Sequence, residues 1–263
     1  MNDELFSVEE RVTLVSGGSR GIGRAIAEGF VRRGAKVIIT GRDPEVLDQT
    51  AQEISTADVT VKPIVCDVAD TDQQKVLVDQ VISTYGHIDV LINVAGVNIR
   101  KPVEDFSVEE YNFVMDINLH GAFFLSQAVG RHMIARGSGV QINIDSLNTA
   151  SPLKHVAPYA ISKAGMSMMT RCLGMEWAEK GVRVNGIAPG FFPTDLSKKL
   201  WAKKHMHDWA VANTPMRRLG DVDTDLPGTA IFLASDASRF MTGQTLYVDG
   251  GFSAGTMWPI DQA

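Results

Sequence analysis

Runs of β-branched and aliphatic residues alternate along the chain with longer stretches in which apolar residues recur every three or four positions. The runs VTLVS (12–16), KVIIT (36–40), VTVKPIV (59–65), DVLINV (89–94), VQINI (140–144), RVNGIA (183–188) and TLYV (245–248) have the length and composition of strands. Between them, Ile22/Ile26/Phe30, Val76/Val78/Val81/Ile82 and Met166/Met169/Leu173/Trp177 mark the inward stripes of helices. Alternating strands and helices make βαβ units, and several of these strands are apolar throughout, as burial on both faces requires. The pattern predicts an α/β fold, a three-layer doubly wound parallel sheet of about seven strands with helices on both faces.

No repeat, low-complexity tract or linker divides residues 1–263, so one domain is expected. The largest irregular insertion is 191–216, between two predicted strands. Leu196, Leu200, Trp201 and Trp209 give it an apolar face, with Lys198, Lys199, Lys203 and Lys204 nearby. Two readings stand: a solvated pair of amphipathic helices, or a lid over a ligand pocket at the carboxyl ends of the strands.

Composition narrows the function classes. Hydrophobic residues make up 44% and charged residues 21%, an ordinary globular balance. The net charge of −6 gives no overall attraction to nucleic acid or to an anionic membrane. No apolar stretch approaches the about 18 residues of a membrane span, and the acidic start MNDELFSVEER lacks the pattern of a signal peptide. Cys66 and Cys172 sit in apolar segments without metal-ligand spacing and read as buried, reduced thiols. A cytoplasmic protein acting on a small molecule, with no metal, is expected.

Directly after the first strand comes SGGSRGIGR (16–24), with Gly17, Gly21 and Gly23 in a G-x-x-x-G-x-G spacing. Glycines between a strand and a helix permit a tight turn and a close approach of backbone to a pyrophosphate at the helix N-terminus. The placement fits the first βα turn of a Rossmann fold that binds a dinucleotide, or glycines that simply permit positive φ in a turn. The second strand ends in KVIITGRD, where an acidic residue suits a ribose 2′-hydroxyl and an arginine suits a 2′-phosphate. Gly41 fills the acidic place and Arg42 follows, with Arg20 in the glycine turn. Two guanidiniums there can bracket a phosphate, which favours NADP(H) over NAD(H), although Asp43 is an acidic neighbour.

The segment YAISK (159–163) puts Tyr159 and Lys163 one turn apart on one helix face, and Pro158 suits the first turn of that helix. With SGGSRGIG (16–23), CDV (66–68), NVAG (93–96), IN (117–118), INIDS (142–146), NGIAPG (185–190) and YVDGG (247–251), the chain resembles the short-chain dehydrogenase/reductase family over roughly residues 10 to 251. The resemblance implies an NAD(P)-dependent enzyme that interconverts an alcohol and a ketone. It implies Tyr159 as acid/base, Lys163 as the group that lowers the tyrosine pKa and holds the nicotinamide ribose, Ser146 as the polariser of the substrate oxygen, and Asn118 as holder of a relay water. For the cofactor it implies Gly17, Ser19, Arg20, Gly21, Ile22 and Gly23 at the pyrophosphate turn, Arg42 at the second strand, and Asp67 and Val68 at the adenine. Asn93, Ala95 and Gly96 would lie beside the adenine ribose, and Pro189, Gly190 and Thr194 near the nicotinamide amide. It also implies a homotetramer with the long helices over 105–135 and 158–180 in one interface.

Two departures from the family pattern are visible. Val94 stands in N-N-A-G, and Asp145 stands before the serine of N-x-S-S. The segments VNIRKPVEDFSVEEYNFVMDIN, KHVAPYAISK and NGIAPGFFPTDL look most like the branch acting on gluconate and 5-ketogluconate, which implies a small polar sugar acid or polyol as substrate. Arg100, with Lys101 beside it, either pairs with a substrate carboxylate or with an acidic surface neighbour. Ser146, Asn148, His155 and Tyr159 complete the expected substrate set. The same catalytic residues serve a 3-oxoacyl-acyl-carrier-protein reductase, the alternative substrate class. A dinucleotide-binding regulator would have no use for Asn118, Ser146, Tyr159 and Lys163 together.

Overall fold

A computed structural model describes residues 4–257. The outermost residues of the expected domain, 1–3 and 258–263, lie outside the described residues. Seven strands form one parallel sheet: β1 (Val12–Ser16), β2 (Lys36–Gly41), β3 (Lys62–Val65), β4 (Val90–Asn93), β5 (Gly139–Ile144), β6 (Val182–Pro189) and β7 (Thr245–Val248). Their order is β3-β2-β1-β4-β5-β6-β7, so the winding reverses between β1 and β4. Strand β1 pairs with both neighbours in register, Leu14 facing Ile38 on β2 and Leu91 on β4. A crevice opens beyond the carboxyl ends of the strands at such a reversal, and ligands of doubly wound sheets bind there.

One face of the sheet is covered by α1 (Gly21–Val31), α2 (Pro44–Ile54) and α9 (Pro227–Ala234), whose Phe30, Leu47 and Ile231 pack on Val15, Ile39 and Ile142. The other is covered by α3 (Thr71–Tyr85), α5 (Gly121–Arg136) and α6 (Ala157–Trp177), whose Leu77, Leu125 and Met166 pack on Leu14, Ile38 and Leu91. The short helices α4 (Val108–Met115), α7 (Lys198–Trp201) and α8 (Lys204–Asn213) complete the set. The stripes read from the sequence are buried except at Ile22 and Ile82, which are partly buried, and at Val76, which is 66% exposed. Gln74 takes the inward position on α3 instead, and its amide donates to the carbonyls of Val68 and Gly121.

Strand β3 is shorter than its β-branched run suggests. Side chains of Ser55 and Thr56 accept the amides of Val61 and Val59, so 59–61 is irregular and stays out of the ladder. Pro63 fits because β3 is an edge strand. The long helix expected over 105–135 is interrupted by a π-type turn, Asp116–His120, between α4 and α5. Such turns mark functional positions, and Asn118 lies in this one. Cys66 is buried as expected, whereas Cys172 is exposed on α6, because that helix is apolar on two faces and only one meets the sheet. No helix among the described residues is long and apolar enough to cross a membrane.

Candidate active site

The carboxyl ends of β1, β2, β4, β5 and β6 open into a cavity of about 510 Å³. At one end lies the turn from β1 into α1. Gly17 has φ of +81°, and a Cβ there would stand 2.7 Å from the backbone of Ala95. A Cβ on Gly23 would stand 2.1 Å from the carbonyl oxygen of Gly17. Only glycine lets the turn fold against β4 and α1 start beneath it. Arg20 occupies the N-cap in extended conformation, and no side chain caps the helix. The first amides of α1 therefore face the cavity without a protein acceptor, an arrangement that fits an anionic pyrophosphate.

Ser19, Arg20, Gly21, Ile22 and Gly23 line this end, with Arg42 across from them at the end of β2. Asp43 is occupied elsewhere: its carboxylate accepts the Val46 amide and caps α2. Asp67, Val68, Ala95 and Gly96 line the middle of the cavity, and Pro189, Gly190 and Thr194 line the wall formed by β6 and the insertion after it. Asn93 is the exception. Its side chain is buried on the opposite side of β4, donating to Ser126 and to Asn143, and Val94 lines the cavity in its place. Sheet alternation explains the swap, since adjacent strand residues face opposite sides.

The other end holds the polar cluster. Tyr159 lies in the first turn of α6, behind Pro158, and Lys163 follows one turn along, 3% exposed. The Lys163 ammonium donates to the carbonyl of Ile144 at 2.7 Å and sits 5.9 Å from the centre of the Tyr159 ring. Burial pushes its pKa down to about 8, opposed by the charge of Asp145. For Tyr159, burial raises the pKa, a hydrogen bond with Ser146 lowers it, Asp145 raises it and Arg100 lowers it. Ser146 and Arg100 are thus two groups that favour the phenolate and that the sequence had not assigned to this task.

Ser146 is separated from the end of β5 by one residue, Asp145, and its Oγ accepts from both the backbone amide and the side-chain amide of Asn148, each at 3.1 Å. With two donors on its oxygen, the hydroxyl proton is left to point at an acceptor in the cavity. The Asn148 side-chain oxygen is held by the Leu153 amide, so Asn148 orients Ser146. Asn118 is fully buried and does not line the cavity. Its amide hydrogens go to the Val97 carbonyl and Ser162, and its oxygen accepts the Val97 amide. Those bonds tie the π turn to the segment after β4 and commit the side chain.

Arg100 reaches the cavity mouth, where one guanidinium nitrogen lies 3.5 Å from the Leu196 carbonyl. Lys101 turns away, paired with Glu110 and lying over the Phe106 ring. His155 is also outside the cavity lining: it sits exposed at φ +67°, and its carbonyl accepts the Lys101 amide. From the 191–216 insertion, Phe191, Phe192, Thr194, Asp195, Leu196, Ser197, Leu200 and Trp201 form one wall. Trp201, Trp209 and Phe252 clasp Phe191 with ring centres 5.3, 5.7 and 4.8 Å away. Two of its lysines are paired locally, Lys198 with Asp195 and Lys204 with Asp208.

A dinucleotide cradle running into a buried Ser/Tyr/Lys cluster is the site of an oxidoreductase acting on CH–OH groups. A family model described as Enoyl-(Acyl carrier protein) reductase matches residues 17–253. The chain is 39% identical over 250 residues to the gluconate 5-dehydrogenase of Gluconobacter oxydans (strain 621H), covering 95% of this chain and 97% of that one. It is 36% identical over 251 residues to the 5-keto-D-gluconate 5-reductase of Escherichia coli (strain K12), covering 95% and 98%. The structure of a gluconate 5-dehydrogenase from Burkholderia cenocepacia J2315 in complex with NADP and tartrate superposes with a TM-score of 0.92 at 39% identity, over 96% of this chain and 99% of that one. The chain belongs to the short-chain dehydrogenase/reductase family.

Proposed function

We propose that this protein is an NADP(H)-dependent oxidoreductase that interconverts a secondary alcohol and a ketone on a small sugar acid or polyol of the gluconate/5-ketogluconate kind. The observation that carries the reading is the convergence of Tyr159, Ser146 and Arg100 in one cavity continuous with the glycine cradle. A bound nicotinamide supplies or accepts the hydride. Tyr159 gives a proton to the nascent alkoxide in one direction and takes it from the alcohol in the other. Ser146, held by Asn148, donates its hydroxyl to the same oxygen. Lys163 holds the nicotinamide ribose and keeps a positive charge beneath the tyrosine.

Arg100 forms no ion pair among the described residues and stands at the mouth, which suits the carboxylate of a sugar acid. Tartrate, a hydroxy acid bound by the Burkholderia relative, supports this. With 5-ketogluconate, Arg100→Gln is expected to raise KM roughly tenfold, the worth of one charge-assisted hydrogen bond. An uncharged polyol or ketone should show no such rise. Equal effects on charged and neutral substrates would remove the carboxylate from this place.

For the cofactor, a side chain at position 41, where an acid would select NAD, would start 3.2 Å from the Ser19 hydroxyl. Arg20 and Arg42 flank the same end of the cavity. Replacing both by Ala is expected to raise KM for NADPH by roughly ten- to a hundredfold and to change KM for NADH little. Parallel losses for both cofactors would contradict the NADP assignment.

The assembly we propose is a cytoplasmic homotetramer. Exposed Phe113 on α4, Phe123 on α5 and Ile161, Met168 and Met175 on α6 supply the apolar faces for one interface.

A further inference from the structure

Asp145 occupies the last place before Ser146 and is 3% exposed. One carboxylate oxygen accepts from the Thr149 hydroxyl at 2.6 Å, closing the turn that carries Ser146 and Asn148. The other oxygen is buried with no hydrogen-bond donor. Closing the turn requires only one acceptor, which a neutral side chain can supply. A second, unpartnered carboxylate oxygen is costly to bury unless a nearby positive charge offsets it. Lys163 makes no ion pair with that oxygen, but its ammonium is bonded to Ile144, the residue immediately before Asp145, and its charge is felt there.

We infer that Asp145 is a positioning residue for the proton transfer: a buried carboxylate, clamped on one oxygen by Thr149, whose charge acts through Lys163 and Tyr159 to set the proton balance of that pair. This rests on the proposed role of Tyr159. The titratable groups facing Asp145 are Lys163 and Tyr159 on α6 and Tyr247 on β7. Arg100 and Asp249 stand one step further, against Tyr159 and Tyr247. Burial pushes the Asp145 pKa up to about 6, with the Thr149 hydroxyl, Lys163, the Ser146 amide and the Ser167 hydroxyl pulling the other way, the last two too poorly aligned to count as partners of its second oxygen. At neutral pH and above it is therefore ionised. Its charge then supports the Lys163 ammonium against burial and favours the Tyr159 phenol over the phenolate. Ser146 and Arg100 push the tyrosine in the opposite direction.

The test reads Tyr159 directly. Tyrosinate absorbance is titrated in the protein and in Tyr159→Phe, with and without Asp145→Asn, and the difference isolates Tyr159 from the other tyrosines. Asp145→Asn is expected to lower the Tyr159 midpoint by roughly 1 pH unit, the scale of a single nearby charge. Asp145→Ser should move it the same way, because charge and not shape is responsible, and it serves if the asparagine variant folds poorly. In the enzyme supplied with cofactor, the corresponding limb of the kcat/KM profile moves to lower pH by the same amount, with KM values unchanged. An unmoved tyrosinate midpoint, or opposite shifts in the two variants, overturns the inference. The proposed function stands or falls separately, on whether Tyr159→Phe is active.

Discussion

Tyr159→Phe is expected to lower turnover by about a thousandfold or more while leaving the affinity for NADPH nearly unchanged. A positioned acid/base contributes roughly 10²- to 10⁴-fold. In the proposed mechanism Ser146 only polarises the substrate oxygen, since its own oxygen is filled by the two donors of Asn148. The cofactor cradle is built from β1, β2 and the glycine turn, at the other end of the cavity from the phenol. Fluorescence titration with NADPH and steady-state kinetics separate the two effects. Substantial turnover in the phenylalanine variant would remove Tyr159 from the proposed role.

Lys163→Met is expected to reduce kcat/KM by roughly a hundredfold or more, through lost charge beneath Tyr159 and a lost donor to the nicotinamide ribose. Its effect on stability has a separate signature. The folded pKa of Lys163 is about 8, below the ordinary lysine value of 10.5. Between those two values the unfolded chain binds more protons than the folded one, so stability rises with pH across the window. Below pH 8 the ammonium is held charged against burial, at a cost on the order of 2–3 kcal/mol that disappears once both states are neutral. Met fills similar volume and has no charge to bury, so the variant should lack this rise. Denaturant unfolding of both proteins between pH 7 and pH 10.5 measures it. An identical pH slope in the two would contradict the buried-ammonium description.

The fold was legible because buried parallel strands have no polar face to blur their signal. Seven β-branched runs became seven strands; β4 lost one residue at each end, and β3 lost its first three to hydroxyls of Ser55 and Thr56 that offered the backbone other partners. Exposure on α6 was not legible: Ile161, Met168, Cys172 and Met175 are as apolar as the buried Met166, Met169 and Leu173, and periodicity cannot rank two apolar faces of one helix. Asn93 had a usable signal. With Gln141 and Asn143 it forms a polar row on the α5 and α6 side of the sheet, visible in the alternation of β4 and β5. The π turn at Asn118 had none, because a register change inside a continuous helical pattern leaves the pattern intact.

Within the site, Tyr159 and Lys163 were bound together by their spacing, and the glycine turn by its place between strand and helix. What spacing could not give was the direction of each field. The approach of Asp145 to Lys163 and of Arg100 to Tyr159 depends on how β5, α6 and the segment after β4 pack, and Ser146, Asp145 and Arg100 together tune the tyrosine. His155 illustrates the converse: close to Tyr159 in sequence, it is carried outward by a left-handed turn.

Transfer of deuterium from labelled NADPH to the carbonyl carbon of 5-ketogluconate, followed by NMR, tests the central claim most directly. Deuterium on the new carbinol carbon of gluconate, with acetoacetyl thioesters left unreduced, is the expected result. Reduction of the thioesters with no label entering 5-ketogluconate would contradict the sugar-acid assignment and place the protein among reductases of acyl carriers.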